Sequence, residues 1–324
     1  MAEKIEKGIS LWSDAFQRLK KNRAAVVSLF LLVIIMSSCI ILPMIPGFLI
    51  DPNLQNLMLE NLSPSSAHYF GTDHLGRDIF SRLMYGGRIS IAVGLITTMV
   101  SVFIGVIWGA LAGYVNRKLD ALLMRIVDIL FAMPFLIVVI LLRTVLEPKT
   151  TQLTDWVVNL IVTDGASVER INTVRTAVEP LCSLIPLFIA IGMLSWLTIS
   201  RIVRAQVQTV KKLEYVEAAR SLGLGNVAIL FRHILPNSIG PIVVYTTLTI
   251  PSVMLFEAVL SFLGMGVKPP NSSWGVLIEE GASRMFSNPM QLVFPSVFFS
   301  LTLLSLNFLG DGLRDALDPK SSKD

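Results

Sequence analysis

The chain has 324 residues, 53% hydrophobic and 15% charged, with a mean hydropathy of +0.68, and a soluble domain carries nearer a quarter charged residues, so the composition excludes a water-soluble protein. Its net charge of +4 is spread along the chain, with no dense basic tract interleaved with aromatics, which excludes nucleic acid as the natural partner. Cys39 and Cys182 form no CxxC pair, and His68, His74 and His233 fall in separate segments, so neither a disulfide framework nor a metal site is expected.

The N-terminal segment 1–23 carries Lys4, Lys7, Arg18, Lys20, Lys21 and Arg23 ahead of an apolar run longer than a signal-peptide core. It is read as leading into a retained first span. Apolar runs near 24–46, 89–115, 121–146, 180–200, 238–261 and 290–310 predict six transmembrane helices, hence an all-α polytopic membrane protein. The stretches 1–23, 115–125, 201–237 and 311–324 together hold 18 Lys and Arg, against 9 in 47–88, 143–179 and 262–289. The positive-inside rule then predicts cytoplasmic N and C termini and a cytoplasmic 201–237 loop.

Between the first two spans, Asp73 with Arg77 and Asp78 with Arg82 stand at i,i+4, the spacing of a short interfacial helix whose arginine stems lie against lipid. Arg125 and Asp128 are spaced to pair at i,i+3, and Glu257 is placed to reach the outer interface. Trp274, in a loop with Pro269 and Pro270, is expected to anchor at the headgroups. Along the fifth span Tyr245, Thr249, Ser252 and Phe256 share one face. They either line a polar route or, as helix hydroxyls often do, bond to the preceding turn. The outer segment 147–179, with its WVVNLIV core, is expected to lie on the membrane or pack on a partner.

No phosphate loop, GxSxG, HExxH or glycine-rich dinucleotide turn occurs, which argues against an enzyme. The segment with the most specific pattern is EYVEAARSLGLGNVAILFRHILP, 214–236. Helix formers run from Glu214 to a stop at Gly223, a residue suited to the left-handed position past a helix end. A second helical piece leads through Leu235 and Pro236 into the fifth span. Tyr215, Ala218, Ala219 and Leu222 recur at helical spacing and form an apolar, small-residue face, the kind that seats in a groove.

Glu217-Ala218-Ala219, three residues, Gly223, then Leu235-Pro236 resembles the EAA signature of the membrane subunits of bacterial ABC importers. His233 stands where the common signature has isoleucine, and the run from Arg232 to Asn237 is similar to the peptide and nickel branch. The stretches from Phe70 to Gly94, Ala258 to Gly275 and Asn307 to Pro319 resemble the C-type permeases of oligopeptide and dipeptide transporters, so the likeness covers most of the chain after residue 70. The resemblance implies a type I importer core in the bacterial cytoplasmic membrane: a first helix and outer loop over 24–88, a five-helix core over 89–310 with the coupling loop 201–237, and a cytoplasmic tail over 311–324.

Its implied partners are a B-type permease, two ABC ATPase subunits, an extracytoplasmic peptide-binding protein and membrane lipid. ATP and Mg²⁺ sit on the ATPases, and this chain binds no cofactor. Glu214, Glu217, Ala218, Ala219, Gly223, Leu235 and Pro236 would couple to the ATPase, and Arg77, Asp78, Arg82 and Arg88 would flank the docking side for the delivery protein. Oligopeptides are the first expected substrate and dipeptides the second, with a nickel chelate or glutathione as alternatives. A self-sufficient secondary transporter or channel is the rival from another class, and it would be expected to carry internal repeats, broken helices or a midplane acidic residue.

Overall fold

The computed structural model describes residues 11–162 and 167–317, so the expectations for the extreme termini and for part of the 147–179 segment lie outside the described residues. Helices account for nearly all regular structure: α1 (Leu11–Lys21), α2 (Arg23–Ile41), α3 (Ile79–Tyr114), α4 (Arg117–Ala132), α5 (Phe135–Ile161), α6 (Val168–Cys182), α7 (Ile185–Val210), α8 (Glu214–Ser221), α9 (Asn226–Ile229), α10 (Leu235–Phe262), α11 (Trp274–Ala282) and α12 (Met290–Leu317). Among the described residues no β-strand occurs beyond one isolated bridge between Thr72 and Asp78. Below, the end of the bundle that carries α8 and α9 is called proximal and the opposite end distal.

Five helices are long and apolar enough to cross a membrane, or six if α4 and α5 count as one span bent by 90°. That bend corrects the expectation of one straight helix over 121–146. Pro134 has no N–H to donate and restricts the residue before it to extended conformations, and Met133 is indeed extended at φ −73°, ψ 139°. Hydropathy reads through such a break because both sides are apolar.

The second span also begins earlier than its hydropathy suggests, at Ile79 rather than near 89, because Asp78 caps it by accepting from Ser81 N at 2.8 Å. The expected interfacial helix before it is absent. Residues 72–78 form a tight loop in which Asp73 Oδ1 accepts from the N–H groups of Leu75 and Arg77, with Gly71 and Gly76 at positive φ.

The centre of the molecule is α3 packed along α7. Gly105, Gly109 and Gly113 recur every fourth residue on α3, and a Cβ at Gly109 would stand 2.4 Å from the Ser200 carbonyl oxygen of α7. In hydrocarbon, where burial from water drives little, such close backbone approach is what holds helices together. A second apolar core joins α2, α3, α10, α11 and α12 around Leu83, Met254, Trp274 and Phe299.

Trp274 belongs to that core. It is fully buried, its Nε1 donates to the Leu83 carbonyl at 2.9 Å, and its ring meets Phe299 edge-on. This corrects the headgroup-anchor expectation: the Pro269 and Pro270 loop turns the indole inward, where its single N–H finds a partner. Glu257 likewise reaches no interface. It is fully buried and Oε1 accepts from Ser261 Oγ at 2.7 Å and Ser273 Oγ at 2.6 Å.

Candidate functional site

At the proximal end α7 stops at Val210, and a three-residue turn leads into α8. The helix is short because its C-terminus closes in a Schellman motif. Gly223 N donates to Arg220 O at 3.0 Å and Leu224 N to Ala219 O at 3.3 Å, with Gly223 at φ +82°. Nothing lies within 4 Å of where a Cβ on Gly223 would stand, so glycine is needed there for its backbone and not for space.

Inward, α8 buries Val216 and Ala219, with Val216 in a cluster that includes Val203, Val207, Ile229 and Ile234. Outward it leaves Glu214, Glu217 and Ala218 exposed, together with Tyr215 at 41% and Leu222 at 81%. The expected four-residue apolar face is thus divided. Ala219 packs on the chain itself, while Tyr215, Ala218 and Leu222, at i, i+3 and i+7, form an unpartnered stripe.

The segment is tied to the bundle at both ends. Leu230–Ile234 forms one π-helical turn that runs directly into α10 at Leu235, with Pro236 in the first turn, where its missing N–H costs nothing. Lys211 Nζ donates to Tyr114 O at 2.6 Å and lies 5.0 Å from the Tyr114 ring centroid. Tyr114 Oη in turn donates to Asn226 Oδ1 at 2.8 Å. Burial, and then the nearby Arg220 charge, hold the Lys211 ammonium below its ordinary pKa. The end of α3, the end of α7 and the start of α9 therefore meet at one knot. Lys211, Tyr114 and Asn226 were not singled out in the sequence, since their separations of 97 and 112 residues leave no local signal.

Nearby, Arg204 grips Asp120 with Nε at 2.5 Å and Nη2 at 2.6 Å, fastening α4 to α7. Asp128 pairs with Arg201 of α7 at 2.8 Å and not with Arg125, which corrects the i,i+3 expectation.

At the distal end the arginines serve internal bonds. Arg77 Nε meets Asp73 Oδ2 at 2.7 Å as the spacing implied. Arg82 does not reach Asp78. It is only 4% exposed, and its Nη1 donates to Asp73 Oδ2 at 2.8 Å and to Glu280 Oε2 at 2.5 Å, with Nη2 on Glu280 Oε1 at 3.1 Å. The stem is therefore inside the protein and not against lipid.

Asp78 is spent on the α3 cap and on His68 Nδ1 at 2.9 Å. Arg88 donates to Cys39 O at 2.8 Å and Ile40 O at 2.6 Å, closing the free carbonyls at the end of α2. Burial by itself would raise the Asp73 carboxyl, but the Arg82 charge, the Arg77 N–H and charge, and the Leu75 N–H together hold it below the ordinary range. Glu280, 198 residues from Arg82, is the network member that sequence reading missed.

On α10, Tyr245, Thr249, Ser252 and Phe256 lie on the side the chain leaves least covered. Tyr245 and Ser252 are exposed, whereas Thr249 and Phe256 are half-buried. Thr249 Oγ1 donates to Tyr245 O at 2.7 Å and Ser252 Oγ to Leu248 O at 3.3 Å, while the Phe256 ring stacks on Phe135 with centroids 4.2 Å apart. The 147–179 segment is largely a helical pair where it is described, α6 lying against the far half of α5 and joined to it by an Arg175–Asp155 ion pair. Trp156 and Leu160 of its WVVNLIV stretch are 62% and 71% exposed.

Comparison with known proteins places this geometry. Residues 105–323 match the family described as binding-protein-dependent transport system inner membrane component, and residues 10–64 match the N-terminal TM domain of oligopeptide transport permease C. The oligopeptide transport system permease protein OppC of Haemophilus influenzae is 41% identical over 99% of this chain and 93% of its own length. The dipeptide transport system permease protein DppC of Bacillus subtilis is 38% identical over 96% of this chain and 87% of its own. Among solved structures, the MetNI methionine ABC transporter in inward facing conformations superposes with a TM-score of 0.52 at 19% identity, over 74% of this chain and 98% of the other. That likeness bears out the all-α polytopic fold with a type I importer core. Taken with the spans described above, these matches establish that the chain is a multi-pass inner-membrane protein and belongs to the family of binding-protein-dependent transport system inner membrane components.

Proposed function

We propose that this chain is one of two permease subunits of an ATP-driven oligopeptide importer, and that α8 is the part a cytoplasmic ATPase moves. The observation that carries the reading is the form of the 214–236 segment. A helix braced inward by Val216 and Ala219 presents Tyr215, Ala218 and Leu222 outward, and past the Gly223 corner α9 and one π turn run without a break into α10. A floppy connection would absorb a displacement, whereas a helix closed by a Schellman turn, seated on the bundle and linked through α9 to a span transmits it.

On this reading the proximal end and both termini are cytoplasmic. Two ABC ATPases hold the ATP and Mg²⁺, a B-type permease covers the Tyr245, Thr249, Ser252 and Phe256 face of α10, and an extracytoplasmic peptide-binding protein docks on the distal rim. The bonds of Arg77, Asp78, Arg82 and Arg88 stiffen that rim. Its Met58 and Phe286 are 94% and 95% exposed, which suits a protein contact. Oligopeptides are preferred over dipeptides because the OppC relative is the more similar over more of both chains.

The test is purification of the tagged chain from its native membrane, with the expected outcome a stoichiometric ATPase and second permease. A chain that transports alone would remove the reading and favour a secondary transporter. The substrate is checked by what the accompanying binding protein retains: longer peptides support the proposal, and dipeptides, glutathione or a nickel chelate redirect it.

Topology gives a separate check. With Cys39 and Cys182 replaced, Ser167→Cys is expected to react with an impermeant thiol reagent in intact cells, and Ser221→Cys only after permeabilisation. Both residues are exposed, so the opposite pattern would invert the assignment. For the path, Thr249→Trp and Ser252→Trp are each expected to lower uptake by roughly tenfold, equivalent to ~1.4 kcal/mol on the transport barrier. Unchanged uptake by an assembled complex would leave those hydroxyls with only their backbone bonds.

A further inference from the structure

Between the proximal halves of α2 and α12 runs a groove of about 460 Å³ open to the bilayer. Val27 and Leu31 of α2 face Leu304 and Phe308 of α12 across it, and the small Ser28 lies among its lining residues. Arg23 stands at one end. From Arg23 to Leu31 is eight residues, about 12 Å along a helix, so the groove descends through most of one leaflet of a hydrocarbon core about 30 Å thick.

The last turn of α1, which leads through Asn22 into Arg23, is cationic. Lys20, Lys21 and Arg23 are exposed, and among the described residues none of them forms an ion pair. Arg18 is different, since Asp14 holds it at 2.6 Å. Lys20 Nζ lies 4.5 Å from the ring centroid of Phe16, which is 57% exposed on α1. A short helix with an exposed aromatic and a basic last turn, just ahead of a span, has the features of an element lying at the headgroup level. The acidic side chains at this end of α12 are Asp311 and Asp315.

We propose that this groove is a site for one anionic phospholipid, with its phosphate on Arg23, Lys20 and Lys21 and one acyl chain between α2 and α12. A void in hydrocarbon forfeits dispersion contacts on its open side, so an acyl chain fills it. The unpaired cations select which headgroup comes with the chain, because basic side chains at a membrane surface attract anionic lipid. The inference does not depend on the ATPase assignment or on the transported substrate.

The test uses the complex purified with its partners in nanodiscs of equal phosphatidylglycerol and phosphatidylethanolamine, followed by a detergent wash and mass spectrometry of the retained lipid. Retention of phosphatidylglycerol over phosphatidylethanolamine by about fivefold or more is expected. The double variant Arg23→Ala, Lys20→Ala is expected to bring the ratio to about one while still retaining lipid. Leu304→Trp, on a wall residue that is 52% exposed, is expected to reduce retention of both lipids by filling the groove.

A ratio that the double variant leaves unchanged, or total retention that Leu304→Trp leaves unchanged, overturns the proposal. Loss of assembly in Leu304→Trp would place a partner helix in the groove and overturn it equally.

Discussion

Uptake is expected to fall to background when Gly223 becomes valine, with the protein still inserted in the membrane at near-normal abundance. The backbone at Gly223 sits at φ +82° with open space around it. The substitution therefore causes no collision, but it forces a β-branched residue into the left-handed region, at roughly 1–2 kcal/mol or more. Such a cost does not unfold a polytopic bundle. It does release the Schellman closure of α8, and an eight-residue helix is too short to hold its place without tertiary support.

Ala219→Asp is expected to have the same outcome by another route. Ala219 is 7% exposed, and a carboxylate placed there without a partner costs several kcal/mol, so α8 lifts off its seat. Glu217 is exposed, and Glu217→Ala should reduce uptake only mildly, because a partly solvated ion pair contributes about 0–1 kcal/mol. Uptake measured beside membrane abundance and ATPase co-purification decides the matter. Near-normal uptake in both Gly223→Val and Ala219→Asp would reduce the segment to a surface connection.

The second large effect is expected at the distal knot, where Arg82→Ala should lower the amount of folded permease severely. Removing Arg82 leaves Asp73, which is 0% exposed, with Arg77 as its one remaining cation, and leaves Glu280 only the longer Arg77 contact at 3.4 Å. Breaking a buried pair from one side costs about 3–5 kcal/mol, a large share of the margin of any fold. Arg82→Lys should rescue little, since a single ammonium cannot replace a guanidinium that reaches Asp73 with one nitrogen and brackets both oxygens of Glu280.

The pH dependence has a definite sign. Asp73 is held below its ordinary pKa, so its contribution is present above the unfolded value of about 3.9 and is lost as pH falls through the lower folded value. The stability difference between wild type and Arg82→Ala, measured by thermal aggregation in detergent, should therefore be widest near neutrality and narrow in acid. A difference that stays constant on acidification would count against Asp73 as the group Arg82 serves.

Much of this was determined by the sequence alone, because the relevant signals are local. Apolar runs long enough to cross the bilayer imply a helical membrane protein whatever their partners, and the lysines and arginines between them supply a topology to test. Gly223 could be recognised as a left-handed corner because helix formers stop there with no other reason to stop. The EAA spacing and the flanking stretches were sufficient to indicate the family that the comparisons support.

What only the tertiary structure decided involves residues far apart in the chain, where local spacing carries no information. Asp78 and Arg82 sit at helix-pair spacing, yet Asp78 caps α3 and Arg82 turns to Asp73 and Glu280, since a capping oxygen and a bidentate carboxylate satisfy more donors than one i,i+4 pair. Trp274 resembled an interfacial anchor until the chain folded it against Leu83 and Phe299. Ala218 and Ala219 are adjacent and identical in type, and only the packing of α8 makes one part of the inner core and the other part of the outward stripe. A helix turns about 100° per residue, so which side of it meets the bundle is fixed by the neighbours it packs on and by nothing in the four letters around it.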